Sequence, residues 1–178
     1  LMFTTLLNFC SNDLSSFYFD IRKDVIYCDG EKSKIRRSSR TLLEIIFNYL
    51  VRWLAPSLSF TTEEAWKAMG NQTSIHLEDF LHTPAKYENL SINENWKIIK
   101  QIRKVITGAL EKKRAEKLIG SSLEAHVDIY VDGKTLEKIK NYSLDEISIT
   151  SSFSLHVLTD ESKGFSLEDV SNVKIAVS

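Results

Sequence analysis

The apolar residues of this chain recur with one period before Gly120 and with another after it. Over 33–54 and 95–117 they recur at spacings of three, four and seven residues, which predicts amphipathic helices. After Gly120, apolar and polar residues alternate, as in half-buried strands. This alternation predicts strands in three segments, 125–131, 153–157 and 173–177.

The two periods predict a mostly α protein with two domains. Residues 1–120 are predicted to form an antiparallel helical bundle, because long amphipathic helices joined by modest loops pack in that way. Residues 121–178 are predicted to form a small α/β domain, with short helices between its first two strands. Three short strands bury little apolar surface, so we expect this second domain to be partial.

Local signals predict where the helices begin and end. Pro56 should end the helix over 33–54, because the residue before a proline is disfavoured in the helical conformation. Thr61 and Glu64 have the spacing of a capping box, which predicts that the next helix begins at Thr61. Residues 71–93 show no sustained period and are predicted to form a long connection with short helical turns.

Composition excludes several classes of function. The 178 residues include 23 Lys and Arg and 24 Asp and Glu, a net charge of -1, so the chain is not a uniformly basic nucleic-acid binder. Its two cysteines and four histidines lack the spacing of a zinc site. It contains no phosphate-binding glycine loop. We therefore predict no catalytic residue, metal or cofactor in this chain.

Cysteine content and hydropathy bear on the location of the protein. Two cysteines in 178 residues are typical of a reducing compartment, where disulfides are rare. No apolar run reaches the roughly 18 residues that a membrane-spanning helix needs. We therefore expect a soluble, cytoplasmic protein without a membrane partner, and a monomer.

Basic residues are concentrated in two of the predicted helices. Residues 96–117 contain eight basic and two acidic residues, and residues 20–52 contain eight basic and five acidic ones. The segment after residue 120 is acidic, with five basic and ten acidic residues. A basic helix of this kind is either an ordinary solvated face or a surface that follows a phosphate backbone.

Several segments of the chain resemble a known family. They are 17–24 (FYFDIRKD), 27–29 (YCD), 54–56 (LAP), 60–66 (FTTEEAW) and 119–125 (IGSSLEA). Together they closely resemble the C-terminal region of bacterial isoleucyl-tRNA synthetases, which are class I aminoacyl-tRNA synthetases. The last three segments are partly shared with the valyl and leucyl enzymes, whereas the combination of the first two is specific to the isoleucyl enzymes.

The resemblance implies a helical anticodon-binding domain over residues 1 to about 117, followed by part of an α/β junction domain. In that family the catalytic domain, with its HIGH and KMSKS signatures, and the editing domain precede this region. Many bacterial members continue into a zinc module. The resemblance therefore implies a non-catalytic fragment, with ATP-Mg and zinc belonging to the parent enzyme. The implied partners are isoleucine tRNA and the remainder of the synthetase chain.

The charge pattern and the resemblance together predict phosphate contacts with the anticodon stem-loop. The candidate residues are Arg36, Arg37, Arg40, Arg103, Lys104, Arg114 and Lys117. Two alternatives stay open at this point. One is the equivalent region of a valyl- or leucyl-tRNA synthetase, and the other is a helical protein-interaction module whose basic residues are only solvated.

Overall fold

The computed structural model of the protein describes residues 2–178 and is mostly helical, with a small mixed sheet near its C-terminal end. The predicted fold class, mostly α with a small α/β part, is confirmed. Contacts divide the chain into two units, with the boundary between Glu88 and Asn89. This division differs from the predicted boundary at residue 120, because the long helix that begins at Leu90 packs on the sheet of the second unit.

The first unit contains a helix that continues from Met2 to Cys28. It consists of α1 (Met2–Asn8), a π-helical segment (Phe9–Phe19) and α2 (Asp20–Cys28). Its buried apolar side chains, Leu14 and Ile21, are seven residues apart. Helix α2 packs on the next helix, which joins the first helix to the rest of its unit.

The third helix, α3 (Lys34–Leu54), has the limits that the sequence predicts. The Ser33 hydroxyl caps it by accepting a hydrogen bond from the Arg36 amide at 3.2 Å. The predicted start of the fourth helix is wrong. Helix α4 (Ser59–Ala68) begins before Thr61, and Glu64 is exposed.

Glu63, the neighbour of the predicted capping residue, fastens the following loop to α4. Its carboxylate accepts hydrogen bonds from the Ser74 hydroxyl at 2.8 Å and from the Ile75 amide at 2.9 Å. These two bonds hold the pKa of the Glu63 carboxyl below its ordinary value. The connection beyond α4 contains the predicted short turns, which are 3₁₀ helices at Ile75–Leu77 and Ala85–Tyr87.

The core of the first unit forms around Trp66. Its ring lies in a buried cluster with Val51, Ala55 and Ile75, and its indole N–H donates to the Thr73 carbonyl at 3.1 Å. The guanidinium of buried Arg52 lies over this ring, 4.8 Å from its centroid. Because the charge of Arg52 is removed from water, it requires partners. Those partners are the Asn48 side chain at 2.8 Å and the Glu78 carboxylate at 2.8 Å.

The second unit begins with the longest helix, α5 (Leu90–Ala115), which the Asn89 side chain caps. The remaining elements follow in the order β1 (His126–Val131), α6 (Gly133–Ile139), α7 (Leu144–Ser148), β2 (Ser152–Val157), β3 (Phe165–Leu167) and β4 (Val170–Val177). The three predicted strands and the short helices between the first two are present. The sequence analysis missed β3, because three residues are too few to show an alternation.

The four strands form one sheet in the order β2-β1-β4-β3. Strand β1 pairs in parallel with β2 and antiparallel with β4, and β3 pairs antiparallel with β4. One face of β1 is fully buried, with Val127, Ile129 and Val131 at 0% exposure. The other face is polar, and there the Asp128 carboxylate contacts the His156 ring at 2.8 Å. The sheet therefore has one covered face and one polar face.

Helix α5 packs closely on the sheet at Gly108. A Cβ atom placed on Gly108 would lie 2.8 Å from Cε1 of Phe165 on β3, closer than side-chain carbons approach each other. The neighbouring helix residues Val105 and Ala109 are buried. The missing side chain of Gly108 thus provides the space that the Phe165 ring occupies.

Adding a methyl group at Gly108 tests this packing. We expect Gly108→Ala to lower the free energy of unfolding by about 1 kcal/mol. Overpacking destabilises by about 1–3 kcal/mol, whereas the higher helix propensity of alanine stabilises by roughly 0.5–1 kcal/mol. The matched control is Gly133→Ala, where the added Cβ meets nothing within 4 Å. Urea unfolding followed by circular dichroism measures both. Equal stability of the two variants would contradict the close contact.

Neutralising Glu63 tests the link between α4 and its loop. Because the pKa of Glu63 is lowered in the folded state, its stabilising contribution is present above its unfolded pKa and is lost as the pH falls through the folded pKa. Glu63→Gln should therefore lower the thermal midpoint at pH 7, and the difference from the unmodified chain should shrink at acidic pH. Glu64→Gln, at the exposed neighbouring position, is the control. A pH-independent difference would contradict this role.

Candidate nucleic-acid interface

The residues predicted to contact phosphates lie in two groups, one in each unit. Arg36, Arg37 and Arg40 occupy the first two turns of α3. The second group is on or just beyond α5, and consists of Arg103, Lys104, Arg114 and Lys117. The structure brings together the members of the first group, whereas those of the second are distributed along the C-terminal half of a long helix.

Arg36 supports the loop before α3. Its guanidinium donates to the Asp29 carbonyl at 2.7 Å, and the Ser33 hydroxyl donates to the Asp29 carboxylate at 2.7 Å. The side chain is half-buried, and its Nε atom is buried without a hydrogen-bond partner among residues 2–178. Arg36 therefore fixes the segment 29–33 against the start of α3.

Arg37 and Arg40 have a different environment from Arg36. Both side chains are exposed, as is that of Lys34. Because these three residues are spaced three apart, they lie close to one face of the helix, and we refer to them as the α3 ridge. Within residues 2–178, none of the three side chains forms a hydrogen bond or an ion pair. The α3 ridge thus presents three cations to solvent.

The position of the α3 ridge is electrostatically unfavourable in the protein alone. The N-terminus of a helix carries a partial positive charge of about +0.5, so cations in the first turns are disfavoured there. The same helix end attracts anions, because its free amides and its dipole both favour negative charge. An anion bound beside the α3 ridge would relieve this repulsion and satisfy the cations.

Arg103 and Lys104 in the middle of α5 both contact other parts of the second unit. The Nε atom of Arg103 donates to the Ile147 carbonyl of α7 at 2.9 Å. Lys104 pairs with the Asp169 carboxylate at 2.6 Å, and this hydrogen bond lowers the pKa of Asp169. The two side chains of that pair are about 60% exposed, so solvent weakens their attraction. Arg103 therefore contributes to the fold more than Lys104 does.

The last two candidates, Arg114 and Lys117, lie at the C-terminal end of α5. The Arg114 guanidinium pairs with Glu111 one turn earlier. Lys117 has a positive φ of 57°, and the amides of Lys117 and Leu118 donate to the carbonyls of Arg114 and Lys113. These bonds form a Schellman motif, which usually requires glycine at the position of Lys117. The Lys117 side chain is exposed and has no partner within residues 2–178.

Sequence analysis did not select a group of lysines that the structure brings together. Lys112 and Lys113 on α5 and Lys163 before β3 line one open cavity of about 330 Å³, which we call the lysine pocket. Lys112 and Lys113 belong to the basic segment 96–117, but Lys163 lies in the acidic part of the chain, where a count of charges gave no reason to select it. Only the packing of β3 on α5 places Lys163 beside them.

The histidines and cysteines of the described chain do not form a metal site. Within residues 2–178, no group of three or more His, Cys, Asp or Glu side chains is arranged to hold a metal ion. His126 contacts the Ser152 hydroxyl at 2.7 Å, and both it and His156 lie on the polar face of the sheet. Cys10 and Cys28 are free thiols. In the same part of the chain, no helix is long and apolar enough to cross a membrane.

Comparisons with known proteins agree with the resemblance that the sequence shows. Residues 1–129 match the family described as "Anticodon-binding domain of tRNA ligase". Among curated proteins, the chain is 46% identical to the isoleucine--tRNA ligase of Bartonella henselae over 172 residues. These residues cover 96% of this chain and 18% of the relative. It is 47% identical over 156 residues to the same ligase of Pelagibacter ubique, covering 87% of this chain and 17% of the relative.

The ligase of Agrobacterium fabrum is a third relative, 43% identical over 174 residues, which cover 96% of this chain and 18% of that protein. The chain thus spans less than a fifth of the length of the curated relatives that it matches. The family match extends over more than two thirds of the chain and includes both basic groups. The chain therefore belongs to the family of anticodon-binding domains of tRNA ligases.

Proposed function

We propose that this chain binds the anticodon stem-loop of isoleucine tRNA as the non-catalytic, anticodon-binding part of an isoleucine–tRNA ligase. The parent enzyme would attach isoleucine to its tRNA with ATP-Mg, and any zinc would belong to segments outside this chain. The proposal places the protein in the cytoplasm as a monomer. The resemblance of segments 17–24 and 27–29 to the isoleucyl enzymes, together with the names of the relatives, supports isoleucine over valine or leucine.

The α3 ridge is the observation that carries the proposal. Lys34, Arg37 and Arg40 present three unpaired cations at a helix N-terminus, in a chain whose net charge is -1. A phosphate backbone supplies anions at a spacing of several ångströms, and each phosphate neutralised releases counterions. Arginine is suited to this task, because its planar guanidinium donates two parallel hydrogen bonds to a phosphate. A merely solvated face would not need cations at a position that the helix dipole disfavours.

The seven candidate residues contribute by two routes. Arg37, Arg40 and Lys117 have side chains that are exposed and directly available to phosphates. The other four already hold internal contacts, and we propose that they face the RNA while keeping those contacts; they are Arg36, Arg103, Lys104 and Arg114. Substitution of a residue in this second set therefore changes the protein as well as the interface.

Charge reversal on the α3 ridge tests the proposed function. We expect Arg37→Glu with Arg40→Glu to weaken the binding of isoleucine tRNA and to reduce the slope of log K against log salt by about two units, one for each lost contact. Fluorescence anisotropy titrations between 50 and 200 mM salt measure both quantities. The control is Lys134→Glu with Lys138→Glu on α6, which makes the same change in net charge at exposed positions. An unchanged slope would refute the α3 ridge as a contact surface.

Substitution of Arg103 and of Lys104 tests how much each side chain stabilises the fold. Arg103→Met should lower the free energy of unfolding by about 2 kcal/mol, because it leaves the Ile147 carbonyl without its charged donor. Lys104→Met removes an exposed ion pair and should change stability little. Urea unfolding monitored by circular dichroism compares the two. Equal effects would contradict the role of Arg103 in joining α5 to α7.

A further inference from the structure

We propose that the lysine pocket binds a backbone phosphate of the tRNA, so that Lys112, Lys113 and Lys163 form a phosphate subsite separate from the α3 ridge. This inference rests on the proposed function and adds three lysines that are not among the seven candidate residues. The pocket lies wholly within the second unit, between the C-terminal end of α5 and the strands β3 and β4. Its lining residues are Ala109, Lys112, Lys113, Glu116, Lys163, Gly164 and the start of β3 with the end of β4.

The first argument is the state of the three ammonium groups. Within residues 2–178, none of the three lysine side chains forms a hydrogen bond or an ion pair. Two other lysines of this unit do have partners, since Lys104 pairs with Asp169 and Lys174 donates to the Ser162 carbonyl at 2.9 Å. Lys113 is only partly exposed, and its ammonium group has no partner among residues 2–178. The pocket therefore concentrates positive charge that the protein leaves unneutralised.

The second argument is that the walls of the pocket are fixed. A Cβ atom on Gly164 would lie 2.7 Å from the Ile175 carbonyl oxygen, so this glycine allows the chain beside Lys163 to lie against β4. The next residue, Phe165, packs against Gly108 of α5. The end of α5 is closed by its Schellman motif. Lys163 and the two helix lysines are thus held near one another by contacts that do not involve their own side chains.

The third argument compares charges within the pocket. The C-terminus of a helix carries a partial charge of about -0.5, which by itself explains the presence of two lysines in the last turns of α5. It does not explain Lys163, which lies on another element. Three lysines against Glu116 and this partial charge still leave an excess of about +1.5. This excess positive charge favours the binding of an anion in the pocket.

The size of the pocket favours a phosphodiester over a small ion. At about 30 Å³ for each water in the liquid, the cavity of about 330 Å³ holds roughly ten water molecules. That space admits a phosphate with part of its ribose. Because the pocket opens to solvent and its charges are lysines, it suits a sequence-independent contact with a continuous backbone, as opposed to the reading of a base.

The test compares variants of the pocket in the full 178-residue chain. We expect Lys163→Ala to reduce the salt slope of tRNA binding by about one unit, and the triple Lys112→Ala, Lys113→Ala, Lys163→Ala variant to reduce it by two to three units and to weaken binding about 10- to 100-fold. The matched control replaces Lys134 and Lys138 of α6, and Lys140 directly after it, with alanine. Circular dichroism verifies that every variant is folded.

Substitution of Glu116 should change the affinity for tRNA in the opposite direction. Glu116→Gln removes the one carboxylate that lines the pocket, so we expect it to tighten tRNA binding several-fold. A general loss of stability would not raise the affinity of the Glu116→Gln variant for tRNA. A non-specific effect of net charge would also change the affinity of the α6 control. The pair of variants therefore reports on the pocket itself.

Three outcomes would overturn the inference. If the unmodified chain binds tRNA in a salt-dependent way, and Lys163→Ala has the same affinity and salt slope as the control, the pocket does not contact tRNA and the proposed function stands. If the unmodified chain does not bind tRNA at all, both the proposed function and this inference fail. If Lys163→Ala abolishes binding of inorganic phosphate and leaves tRNA binding unchanged, the pocket holds a free anion and not the RNA backbone.

Discussion

The packing of α5 on the sheet determines the organisation of the second unit. Ile99, Ile102, Val105 and Ile106 are at most 1% exposed, and together with the buried face of β1 they form its core. Complete burial of such side chains is worth about 1.5–3 kcal/mol each, which is more than the roughly 0–1 kcal/mol of a surface ion pair. The orientation of every polar side chain on α5 follows from this apolar stripe.

Once the apolar stripe is fixed, the polar residues of α5 have different environments along its length. Near its middle, Arg103 and Lys104 lie next to the edge of the packed face, and elements of the same unit supply their partners. Past Leu110 the helix extends to its end beside the strands β3 and β4, and there Lys112 and Lys113 border the open cavity. One helix with a uniform excess of lysine and arginine thus contains both structural cations and available ones.

The fold could be predicted where a signal repeats over many residues. The apolar period located α3 and α5, and the alternation located β1, β2 and β4, because each pattern samples several turns or residue pairs. The structure differs from the expectation where a short motif or a tertiary contact decides. Thr61 and Glu64 have the spacing of a capping box, yet α4 begins at Ser59. The position of α5 in the second unit depends on contacts with the sheet that no periodicity within α5 reveals.

The candidate site was less predictable than the fold, because a local count of charges does not show which charges are paired. The partner of Arg103 lies 44 residues away and that of Lys104 lies 65 residues away, so their internal roles could not be read from segment 96–117. Lys163 shows the converse, since it lies in an acidic segment and still joins a cluster of cations. In a chain with a net charge of -1, an attractive surface for RNA requires that some cations be neutralised internally while others are kept out of ion pairs. The fold makes that separation by placing acidic partners beside the middle of α5 and leaving the α3 ridge and the lysine pocket without an ion-pair partner among the described residues.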